Sequence, residues 1–565
     1  MASTAAAADG APRQLVGALD QGTTSTRFIL FDVATGSPVA SHQMTHKQHY
    51  PHPGWVEHDP MEILDCAEQC IDEAVALGGV DPASVKAVGI TNQRETTVVW
   101  DKETGKPLCH AIVWLDTRTR STCEFLKQRI DVDRVRELCG LPVSTYFSGV
   151  KLRWLMDNRP AVKEALDAGT ALFGTIDTWL VWNLSGRVTH ATDVTNAGRT
   201  MLMDIRKMDW NDELVEAVGV PRSCLPTIRS CAEVYGKMAG TVLAGVPISG
   251  VVGDQQAALV GQSCFRVGEA KATYGTGCFL IVNTGDTPVF SSQGLLTTPA
   301  YQLGPDAPPV YALEGSIAIA GAAISWLKDN LHLIHTAAEV EALAASVPDA
   351  GDVYFVPAFS GLFAPRWRQD ARGTIVGLTQ YTTAAHIVRA TLEAIAFQVM
   401  EVLRAVGGDL LESGVLGASA GGQDGGGAAE ATDDAVNDTT SFIREVRVDG
   451  GASVNNLLMQ MQADLVGAPV LRPAVVETTA LGAAFAAGLA VGVFDSPESL
   501  REKWTLDRRF QPELSVAQRA HRIGKWEKAV QRSLGWIEQD EPDAEDETDG
   551  EEEAAAVAEG AAADE

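Results

Sequence analysis

The segment Leu15-Val-Gly-Ala-Leu-Asp-Gln-Gly-Thr-Thr-Ser-Thr-Arg-Phe-Ile-Leu-Phe-Asp32 decides the fold prediction. Two apolar runs flank a turn of small and hydroxyl-bearing residues, a pattern that predicts strand, tight turn and strand. In the turn, Gly22 lets the backbone approach a ligand closely, and the hydroxyls of Thr23 to Ser25 can donate to phosphate oxygens. Asp20 ends the first strand, where a carboxylate can hold Mg²⁺. Taken alone, the segment is equally consistent with an ordinary hairpin.

The segment Ala270-Lys-Ala-Thr-Tyr-Gly-Thr-Gly-Cys-Phe-Leu-Ile-Val-Asn-Thr-Gly285 repeats this design. In both segments a glycine turn with threonine leads into an apolar strand, and a second Thr-Gly turn follows, at Thr35-Gly36 and at Thr284-Gly285. Between the two segments, strand-like and helix-like patterns alternate through Asp254, which indicates α/β layers. We therefore expect a weak internal duplication, with two related α/β domains that face each other across a cleft.

The composition argues against two classes of partner. The 565-residue chain is 45% hydrophobic and has a formal net charge of −30, which disfavours binding to nucleic acid or to an anionic membrane surface. No apolar run is long enough for stable membrane insertion, and Met1 to Arg13 lacks the pattern of a secretory signal. Nine cysteines without a repeated CxxC spacing indicate reduced thiols. We expect a cytoplasmic protein and, from its acidity, a halophilic one.

Shifts in composition divide the chain into four parts: a disordered N-terminus (1–13), a first domain (14–260), a second domain (261–537) and an acidic disordered tail (538–565). Inside the second domain, residues 411–441 are rich in Gly, Ala and acids, and we expect a disordered surface loop there. The stretch His42 to His58 is rich in histidine. A metal site is conceivable, but the irregular spacing and the prolines favour a solvated strand and loop.

Three glycine-rich turns have the features of a nucleotide site. The sequence contains neither a GxxxxGK[ST] P-loop nor the motifs of protein kinases. Asp20 to Thr26, Tyr274 to Gly277 and Asp449 to Gly451 are instead turns at strand ends that combine Gly with Asp or Thr. The first two, from opposite domains, could grip phosphates. The third precedes a predicted helix that begins at Ala452, and it could approach the nucleoside.

Asp254 is the candidate catalytic base. It follows the apolar strand Ile248 to Val252 and precedes a helical pattern. A carboxylate held at a strand end beside a phosphoryl site can accept a hydroxyl proton. Asp also favours the N-cap position of a helix, and the two interpretations are compatible.

Six motifs carry a resemblance to a known family. In chain order they are Leu19-Asp-Gln-Gly-Thr-Thr24, Tyr50-Pro-His-Pro-Gly-Trp-Val-Glu-His-Asp-Pro60, Gly89-Ile-Thr-Asn-Gln-Arg-Glu-Thr-Thr97, Gly253-Asp-Gln-Gln-Ala-Ala258, Tyr274-Gly-Thr-Gly-Cys-Phe279 and Val448-Asp-Gly-Gly451. Through them, the chain from about Leu15 to about Gln539 resembles the FGGY family of carbohydrate kinases. The Asn-Gln-Arg-Glu run and Trp114 are similar to the members that phosphorylate glycerol. The resemblance implies an α/β protein with two ribonuclease-H-like (actin-like ATPase) domains flanking a catalytic cleft.

The resemblance also implies a reaction and its residues. It implies ATP-dependent phosphorylation of glycerol to sn-glycerol 3-phosphate in glycerol catabolism, with ATP and Mg²⁺ as cofactors, Asp254 as general base and Asp20 at the metal. The implied substrate-binding residues are Arg94, Glu95, Trp114, Tyr146, Asp254, Gln255 and Phe279. The implied nucleotide-binding residues are Thr23, Thr24, Ser25, Arg27, Thr276, Gly277, Gly321, Gly451 and Asn455. Two alternatives stay open: a kinase of another polyol or ketose, and an actin- or chaperone-like ATPase.

Glycerol and ATP/ADP are the implied partners, in a homodimer or homotetramer. Some bacterial members bind fructose 1,6-bisphosphate through a glycine-rich loop with an arginine. The corresponding loop here, Lys237 to Gly245, has no Arg, which implies that this sugar site is absent. The segment Cys231 to Gly250 also lacks His, so activation through a phosphohistidine is not expected. The insert and the acidic tail lie outside the family pattern.

Overall fold

The computed structural model describes residues 13–415 and 442–537. The predicted disordered N-terminus (apart from Arg13), the predicted loop from residue 416 to 441 and the acidic tail lie outside the described residues. The predicted insert begins too early, because Leu411 and Glu412 are the last residues of a long helix, Ala384–Glu412. All nine cysteines lie in the described part of the chain, and each is a free thiol, as predicted.

The first half of the chain contains fourteen strands and nine α-helices among the described residues. The strands are β1 (Leu15–Gln21), β2 (Ser25–Asp32), β3 (Pro38–Thr45), β4 (Glu57–His58), β5 (Val85–Asn92), β6 (Val98–Asp101), β7 (Ala111–Ile112), β8 (Ala171–Gly174), β9 (Ala191–Asp193), β10 (Met203–Asp204), β11 (Asp209–Trp210), β12 (Thr227–Arg229), β13 (Ala232–Lys237) and β14 (Pro247–Gly253). The helices are α1 (Pro60–Gly78), α2 (Arg120–Lys127), α3 (Val132–Cys139), α4 (Ser148–Asn158), α5 (Pro160–Asp167), α6 (Ile176–Leu184), α7 (Val194–Ala197), α8 (Asp212–Val218) and α9 (Asp254–Gly261).

The second half is built in the same way. Its described strands are β15 (Glu269–Tyr274), β16 (Cys278–Gly285), β17 (Leu296–Tyr301), β18 (Val310–Ile317), β19 (Tyr354–Val356), β20 (Thr374–Val376), β21 (Glu445–Asp449), β22 (Val470–Pro473) and β23 (Leu506–Phe510). Its described helices are α10 (Gly321–Asp329), α11 (Glu339–Ala345), α12 (Ala384–Glu412), α13 (Asn456–Val466), α14 (Thr478–Ala490), α15 (Pro497–Arg501) and α16 (Val516–Ser533).

Each half has a mixed sheet with the same local topology. The first sheet has the strand order β13-β14-β5-β1-β2-β3, and the second has the order β17-β18-β16-β15-β21-β22-β23. In the first, the antiparallel hairpin β1-β2 lies beside β5 and β14, which run parallel to β1. In the second, the hairpin β15-β16 lies beside β21 and β22, which run parallel to β15. The duplication predicted from the two Gly-Thr segments is therefore present in the topology.

The parallel strands fix where polar residues collect. β1, β5 and β14 run in one direction, so their carboxyl ends meet at one edge of the first sheet. Asp20 lies at the end of β1, Arg94 and Glu95 follow β5, and Asp254 follows β14. In the second sheet, β15 and β21 likewise end together, at Tyr274 and Asp449. Both edges face the region where the two domains meet.

Two helices cross between the domains at very short range. α9 continues from the first sheet, whereas α14 belongs to the second half and packs on β1, β5 and β14 of the first sheet. The crossing depends on glycine: a Cβ atom added at Gly482 in α14 would lie 1.8 Å from the carbonyl oxygen of Ala257 in α9. A Cβ atom at Gly261 would lie 2.0 Å from the carbonyl oxygen of Thr478. The helix that begins with Asp254 is thus held directly against the second domain.

Several predicted boundaries need correction. The helix after Asp449 does not begin at Ala452: a short 3₁₀ turn, Gly451–Val454, comes first, and α13 begins at Asn456 with Asn455 as its N-cap. The apolar sequence Ala111 to Trp114 predicts a strand that ends on Trp114, but β7 ends at Ile112. Asp254 is the first residue of α9, not its cap, and no side-chain cap bond is made at Gly253. Within the described residues, no helix is both long enough and apolar enough to cross a membrane.

Candidate active site

The first Gly-Thr turn, between β1 and β2, is closed by a backbone hydrogen bond from Gly22 N to Ser25 O at 2.9 Å. Thr24 is exposed. Thr23 Oγ1 accepts a hydrogen bond from Trp114 Nε1 at 2.9 Å, and Ser25 Oγ accepts one from Gln43 Nε2 at 3.0 Å. The turn is therefore preorganised, with hydroxyl and backbone groups facing the meeting point of the domains.

Arg27, on β2 opposite Asp20, spans the two domains. Its Nε donates to Gln43 Oε1 at 2.9 Å, and its Nη1 forms an ion pair with Glu477 of the second half. This guanidinium was predicted to meet phosphates. In the structure it is shared between a neighbouring strand and the segment that leads into α14.

The second Gly-Thr turn packs on the start of α10. Gly275 N donates to Gly277 O at 2.9 Å, and Gly321 N donates to Gly275 O at 3.0 Å. The carbonyl of Thr276 accepts hydrogen bonds from the amides of Ala320 and Ala322, at 2.9 and 3.0 Å. Thr276 itself is exposed. The structure thus brings three predicted nucleotide residues, Thr276, Gly277 and Gly321, into one backbone network.

The third turn lies against the end of the second hairpin. Gly450 has a φ of +85°, and a Cβ atom there would lie 2.5 Å from the carbonyl oxygen of Tyr274. Gly451 is exposed, with no atom within 4 Å of an added Cβ. Asn455 Oδ1 accepts from Leu458 N at 2.9 Å and caps α13, which leaves its Nδ2 group as a donor. These residues surround a helix N-terminus, a favourable place for an anion.

Two carboxylates form an acidic centre where the sheets meet. The pKa of Asp20 is raised to about 7, mainly by burial; the charge of Arg27 opposes this shift, and the nearby carboxylates of Asp254 and Glu477 add to it. Asp254 Oδ1 accepts from Gln255 N at 2.7 Å and pairs with Arg94 Nε at 3.1 Å. Its side chain remains 31% exposed, so Asp254 is reachable from the cleft.

Arg94 and Glu95 are buried and paired with residues that the sequence did not indicate. Arg94 binds Glu314 of the second sheet through two hydrogen bonds, Nη1 to Oε2 at 2.6 Å and Nη2 to Oε1 at 2.8 Å. Glu95 Oε1 accepts from Arg199 Nε at 2.5 Å. Glu95 also has a φ of +58°, an unfavourable conformation for a side chain of this kind, and its carbonyl accepts from Ser148 Oγ at 3.0 Å. Strain held in place by hydrogen bonds is typical of functional sites.

Three aromatic rings stand beside this charged cluster. The Trp114 ring lies 5.5 Å from Tyr146 and 6.4 Å from Phe279, measured between centroids, with both contacts edge-to-face. The backbone at Tyr146 is held in place, because the ammonium group of the buried Lys151 donates to the carbonyl oxygens of Thr145 and Tyr146. The predicted apolar residues Trp114, Tyr146 and Phe279 are therefore brought together, with Phe279 contributed by the second domain.

Gln255 has a buried partner that the sequence also did not indicate. Lys271 Nζ lies 2.5 Å from Gln255 Oε1 and 2.8 Å from Thr273 Oγ1. An ammonium group only donates, so the carbonyl end of the Gln255 amide faces Lys271 and its NH₂ group is left to donate elsewhere. Burial lowers the pKa of Lys271, while the charges of Asp449 and Asp254 oppose that shift.

The histidine-rich stretch forms no metal site. His46 and His58 are buried, with ring centroids 4.8 Å apart, and His58 Nε2 lies 2.7 Å from Gln48 Oε1. Burial lowers the pKa of His58 to about 3. In the ranges that the structure describes, no group of three or more His, Cys, Asp or Glu side chains is arranged to hold a metal ion. The stretch is strand and loop, as predicted, but it is not solvated throughout, because His46 and His58 are buried.

Comparison with known proteins identifies the family. The profile of the FGGY family of carbohydrate kinases, N-terminal domain, matches residues 15–261, and that of the C-terminal domain matches residues 270–491. The chain belongs to the FGGY family of carbohydrate kinases. The predicted fold class, a two-domain α/β protein with the actin-like ATPase architecture, is confirmed, and so is its assignment as a kinase.

Relatives of this FGGY kinase carry a consistent name. A protein named glycerol kinase from Brucella anthropi is 51% identical over 528 residues, covering 93% of this chain and 100% of that protein. Another, from Acidiphilium cryptum, is 51% identical over 526 residues, covering 93% and 99%. The crystal structure of Plasmodium falciparum glycerol kinase with ADP has a TM-score of 0.83 at 37% identity, covering 93% of this chain and 99% of that one. A xylulose kinase from Rhodospirillum rubrum, at 23% identity and a TM-score of 0.74, shares the fold.

Proposed function

We propose that this FGGY kinase transfers the γ-phosphoryl group of ATP to glycerol and forms sn-glycerol 3-phosphate and ADP. The observation that carries the proposal is the position of Asp254. It is a partly exposed carboxylate at the edge of the first sheet, paired with Arg94 and close to Asp20. The rings of Trp114, Tyr146 and Phe279 contact one another, and Tyr146 lies 5.5 Å from the guanidinium carbon of Arg199, which donates to the Glu95 carboxylate. The names of the 51% identical relatives support the choice of glycerol.

In the proposed mechanism Asp254 accepts the proton of the attacking hydroxyl. The hydroxyl oxygen forms a bond to the γ-phosphorus, the bond between that phosphorus and the β-γ bridging oxygen breaks, and ADP carries away the electron pair. Arg94 and Glu95 bind hydroxyl groups of glycerol in complementary ways: the guanidinium of Arg94 donates hydrogen bonds to them, and the carboxylate of Glu95 accepts hydrogen bonds from them. Gln255 adds the NH₂ donor that Lys271 leaves available. A site built on such polar contacts rejects analogues that lack a hydroxyl.

The residues around Asp20 fit a divalent cation. Asp20 is the carboxylate at this point, and the charges of Asp254 and Glu477 act on it together with the opposing charge of Arg27. Mg²⁺ is usually held by one or two carboxylates together with substrate phosphates, and when bound it neutralises charge on those phosphates. We propose that Asp20 orients this cation and that Thr23, Thr24, Ser25, Arg27, Thr276 and Gly277 contact the phosphates. Gly321, Gly451 and Asn455 are proposed to line the nucleoside.

The test measures ADP formation by the purified protein with glycerol, dihydroxyacetone, xylulose or no acceptor. We expect glycerol to give the highest kcat/KM. Acceptor-independent turnover would instead support an ATPase, and a preference for xylulose would support a ketose kinase.

The base is tested by Asp254→Asn, which should lower kcat about 10²- to 10⁴-fold. The control is Asp131→Asn, an exposed residue that caps α3, where Asn is an equally good cap. Near-normal turnover of Asp254→Asn would reject the assignment of the base.

Five finer expectations stay predictions. They are the role of Mg²⁺, the cytoplasmic location, adaptation to concentrated salt, assembly as a homodimer or homotetramer, and the domain limits at residues 14–260 and 261–537. The acidic composition supports the third, since a highly charged chain repels itself less where salt screens the charges.

A further inference from the structure

We infer that Arg199 and Glu314 are positioning residues of the acceptor site, and that Glu314 makes this site dependent on both domains. The inference rests on the proposed function, because it assigns to these residues the task of orienting Arg94 and Glu95 toward the acceptor. Neither residue belongs to a sequence motif discussed above.

Arg199 lies at the centre of the acceptor residues. It follows α7 and is completely buried. Its Nε donates to Glu95 Oε1 at 2.5 Å, and its Nη1 and Nη2 each lie 3.4 Å from a carboxylate oxygen of Glu314. Its guanidinium carbon lies 5.5 Å from the centroid of the Tyr146 ring, within the range of a cation–π interaction. Arg199 therefore contacts two of the predicted substrate-binding residues, Glu95 and Tyr146. It also lies beside Glu314, the partner of Arg94.

Glu314 joins the two domains. It lies on β18 of the second sheet, 220 positions from Arg94, and is 2% exposed. Burial alone would raise its pKa, but the charges of Arg199 and Arg94 outweigh that effect and lower the pKa to about 2. The carboxylate is therefore ionised at neutral pH. The carboxylates of Glu314, Glu95 and Asp254 thus surround the two guanidinium groups of Arg94 and Arg199.

The two-pronged bond explains how Arg94 is oriented. The Glu314 carboxylate accepts one hydrogen bond from Nη1 and one from Nη2 of Arg94, and this bidentate contact fixes the plane of the guanidinium. The Nε edge is then turned toward Asp254 Oδ1, 3.1 Å away. In the same way Arg199 donates to Glu95 Oε1, so Oε2 is the carboxylate oxygen left to accept a hydrogen bond from a hydroxyl group of the substrate.

Stability alone does not explain such a cluster. Burying ions costs more than an apolar replacement of similar volume, so a buried ion pair is weak evidence for stabilisation. Its specific effect is to hold charged groups in one geometry. Since a misplacement of about 1 Å in a site of this kind can lower the rate about 10²-fold, loss of either Arg199 or Glu314 should act on the acceptor reaction.

The experiment compares Glu314→Gln and Arg199→Lys with the wild-type protein. Each is assayed for kcat, the KM for glycerol, the KM for ATP, and melting temperature. We expect both variants to raise the KM for glycerol about 10- to 100-fold. The KM for ATP should change less than about 3-fold, because the cluster lies under the acceptor residues and not under the Gly-Thr turns.

The matched control is Glu401→Gln. Glu401 forms a partly buried pair with Arg366, Nη2 to Oε1 at 2.5 Å, within the second domain. This variant should lower the melting temperature without changing the ratio of the two KM values. If Glu314→Gln lowers the melting temperature in the same way and leaves that ratio unchanged, the pair is structural and the inference is overturned. If Glu314→Gln does not fold, Arg199→Lys decides, because it keeps the charge and loses only the planar fork.

The wild-type assay separates this inference from the proposed function. If the wild-type protein prefers another acceptor over glycerol, the proposed function fails, and the same variants are then measured with that acceptor. A rise in the KM for that acceptor without a matching rise in the KM for ATP would still support the positioning role. Equal changes in the KM values for ATP and acceptor would overturn it.

Discussion

Replacing Gly482 with alanine should destabilise the protein and slow the reaction together. Gly482 lies in α14, where α14 crosses α9. The new Cβ atom would lie 1.8 Å from Ala257 O and 2.6 Å from its carbonyl carbon, far inside any distance that real Cβ atoms adopt. Both neighbours are backbone atoms, so no side chain can rotate away. The two helices must therefore separate by about 1 Å, the kind of overpacking that costs about 1–3 kcal/mol.

This cost must exceed the gain in helix propensity, which for Gly to Ala is about 1 kcal/mol in a helix interior. Gly524→Ala isolates that gain. Gly524 lies within α16, and no atom lies within 4 Å of its added Cβ. We expect Gly524→Ala to raise the midpoint of urea denaturation slightly and Gly482→Ala to lower it.

The kinetic effect follows from where α9 begins. Its first two residues are Asp254 and Gln255, so moving α9 by about 1 Å shifts the base relative to the phosphoryl group and should lower kcat about 10²-fold. Initial rates at saturating ATP and glycerol measure this effect. If Gly482→Ala and Gly524→Ala show the same stability and the same kcat, the close helix crossing does not position Asp254, and the reasoning fails.

Two further perturbations probe the acceptor side. Trp114→Phe keeps an aromatic ring but loses the hydrogen bond of 2.9 Å to Thr23 Oγ1, so the KM values for both ATP and glycerol should rise several-fold. The control is Trp536→Phe, at a position that is 73% exposed, and it should change neither KM value. Burial lowers the pKa of Lys151 from 10.5 to about 8, so its hold on the Tyr146 carbonyl should weaken above pH 8 and the KM for glycerol should rise there. Between pH 8 and 10.5 the unfolded chain binds the proton that the folded chain has lost, so the free energy of unfolding should rise with pH. Lys151→Met should give a high KM for glycerol that does not depend on pH, and its free energy of unfolding should not rise between pH 8 and about 10. A wild-type KM for glycerol that is constant from pH 7 to about 10 would contradict the role of Lys151.

The fold was predictable because its signals are local. The hairpins that begin at Leu15 and at Ala270 each combine apolar strands, a glycine turn and a second Thr-Gly turn, which ends at Gly36 and at Gly285. Helix starts were predictable where a cap has a standard sequence, as at Asp59, whose carboxylate accepts from Met61 N at the start of α1. The predicted starts were wrong where the chain has two options: Ala452 lies in the 3₁₀ turn Gly451–Val454, and Asn455 provides the cap of α13.

The partners of the site residues were not predictable. Glu314 is 220 positions from Arg94, and Arg199 is 104 positions from Glu95. Each lies in an otherwise ordinary apolar or mixed stretch, and no spacing rule connects residues that meet only through the packing of two domains. Lys271 is a similar case, since it is a single cation in a strand of small residues. A charged residue inside a predicted buried strand, as for Lys271 and Glu314, is the one signal that could have drawn attention to both.

The duplicated topology places the strand-end carboxylates of the two sheets on different strands. In the first sheet Asp20 lies on the hairpin strand and pairs in register with Thr91 of β5. In the second sheet the same register places Thr273 on the hairpin strand and the carboxylate, Asp449, on the parallel neighbour. The aspartate lies on the hairpin strand in the first sheet and on the neighbouring parallel strand in the second, and the threonine takes the other position in each case.

Their surroundings differ accordingly. Asp449 accepts hydrogen bonds from Thr273 at 2.5 Å, from Thr478 at 2.6 Å and from Gln262 at 2.9 Å, so its oxygens are already engaged by protein donors. The hydroxyl of Thr91 makes no such bond to Asp20, and among the described residues Arg27 is the cation that acts on the Asp20 carboxylate. A carboxylate with saturated oxygens stabilises the interface between strands and helices, whereas a buried one that lacks donors gains most from a bound cation. From this asymmetry we expect that, in the proposed reaction, a cation binds at Asp20 of the first domain and not at Asp449 of the second.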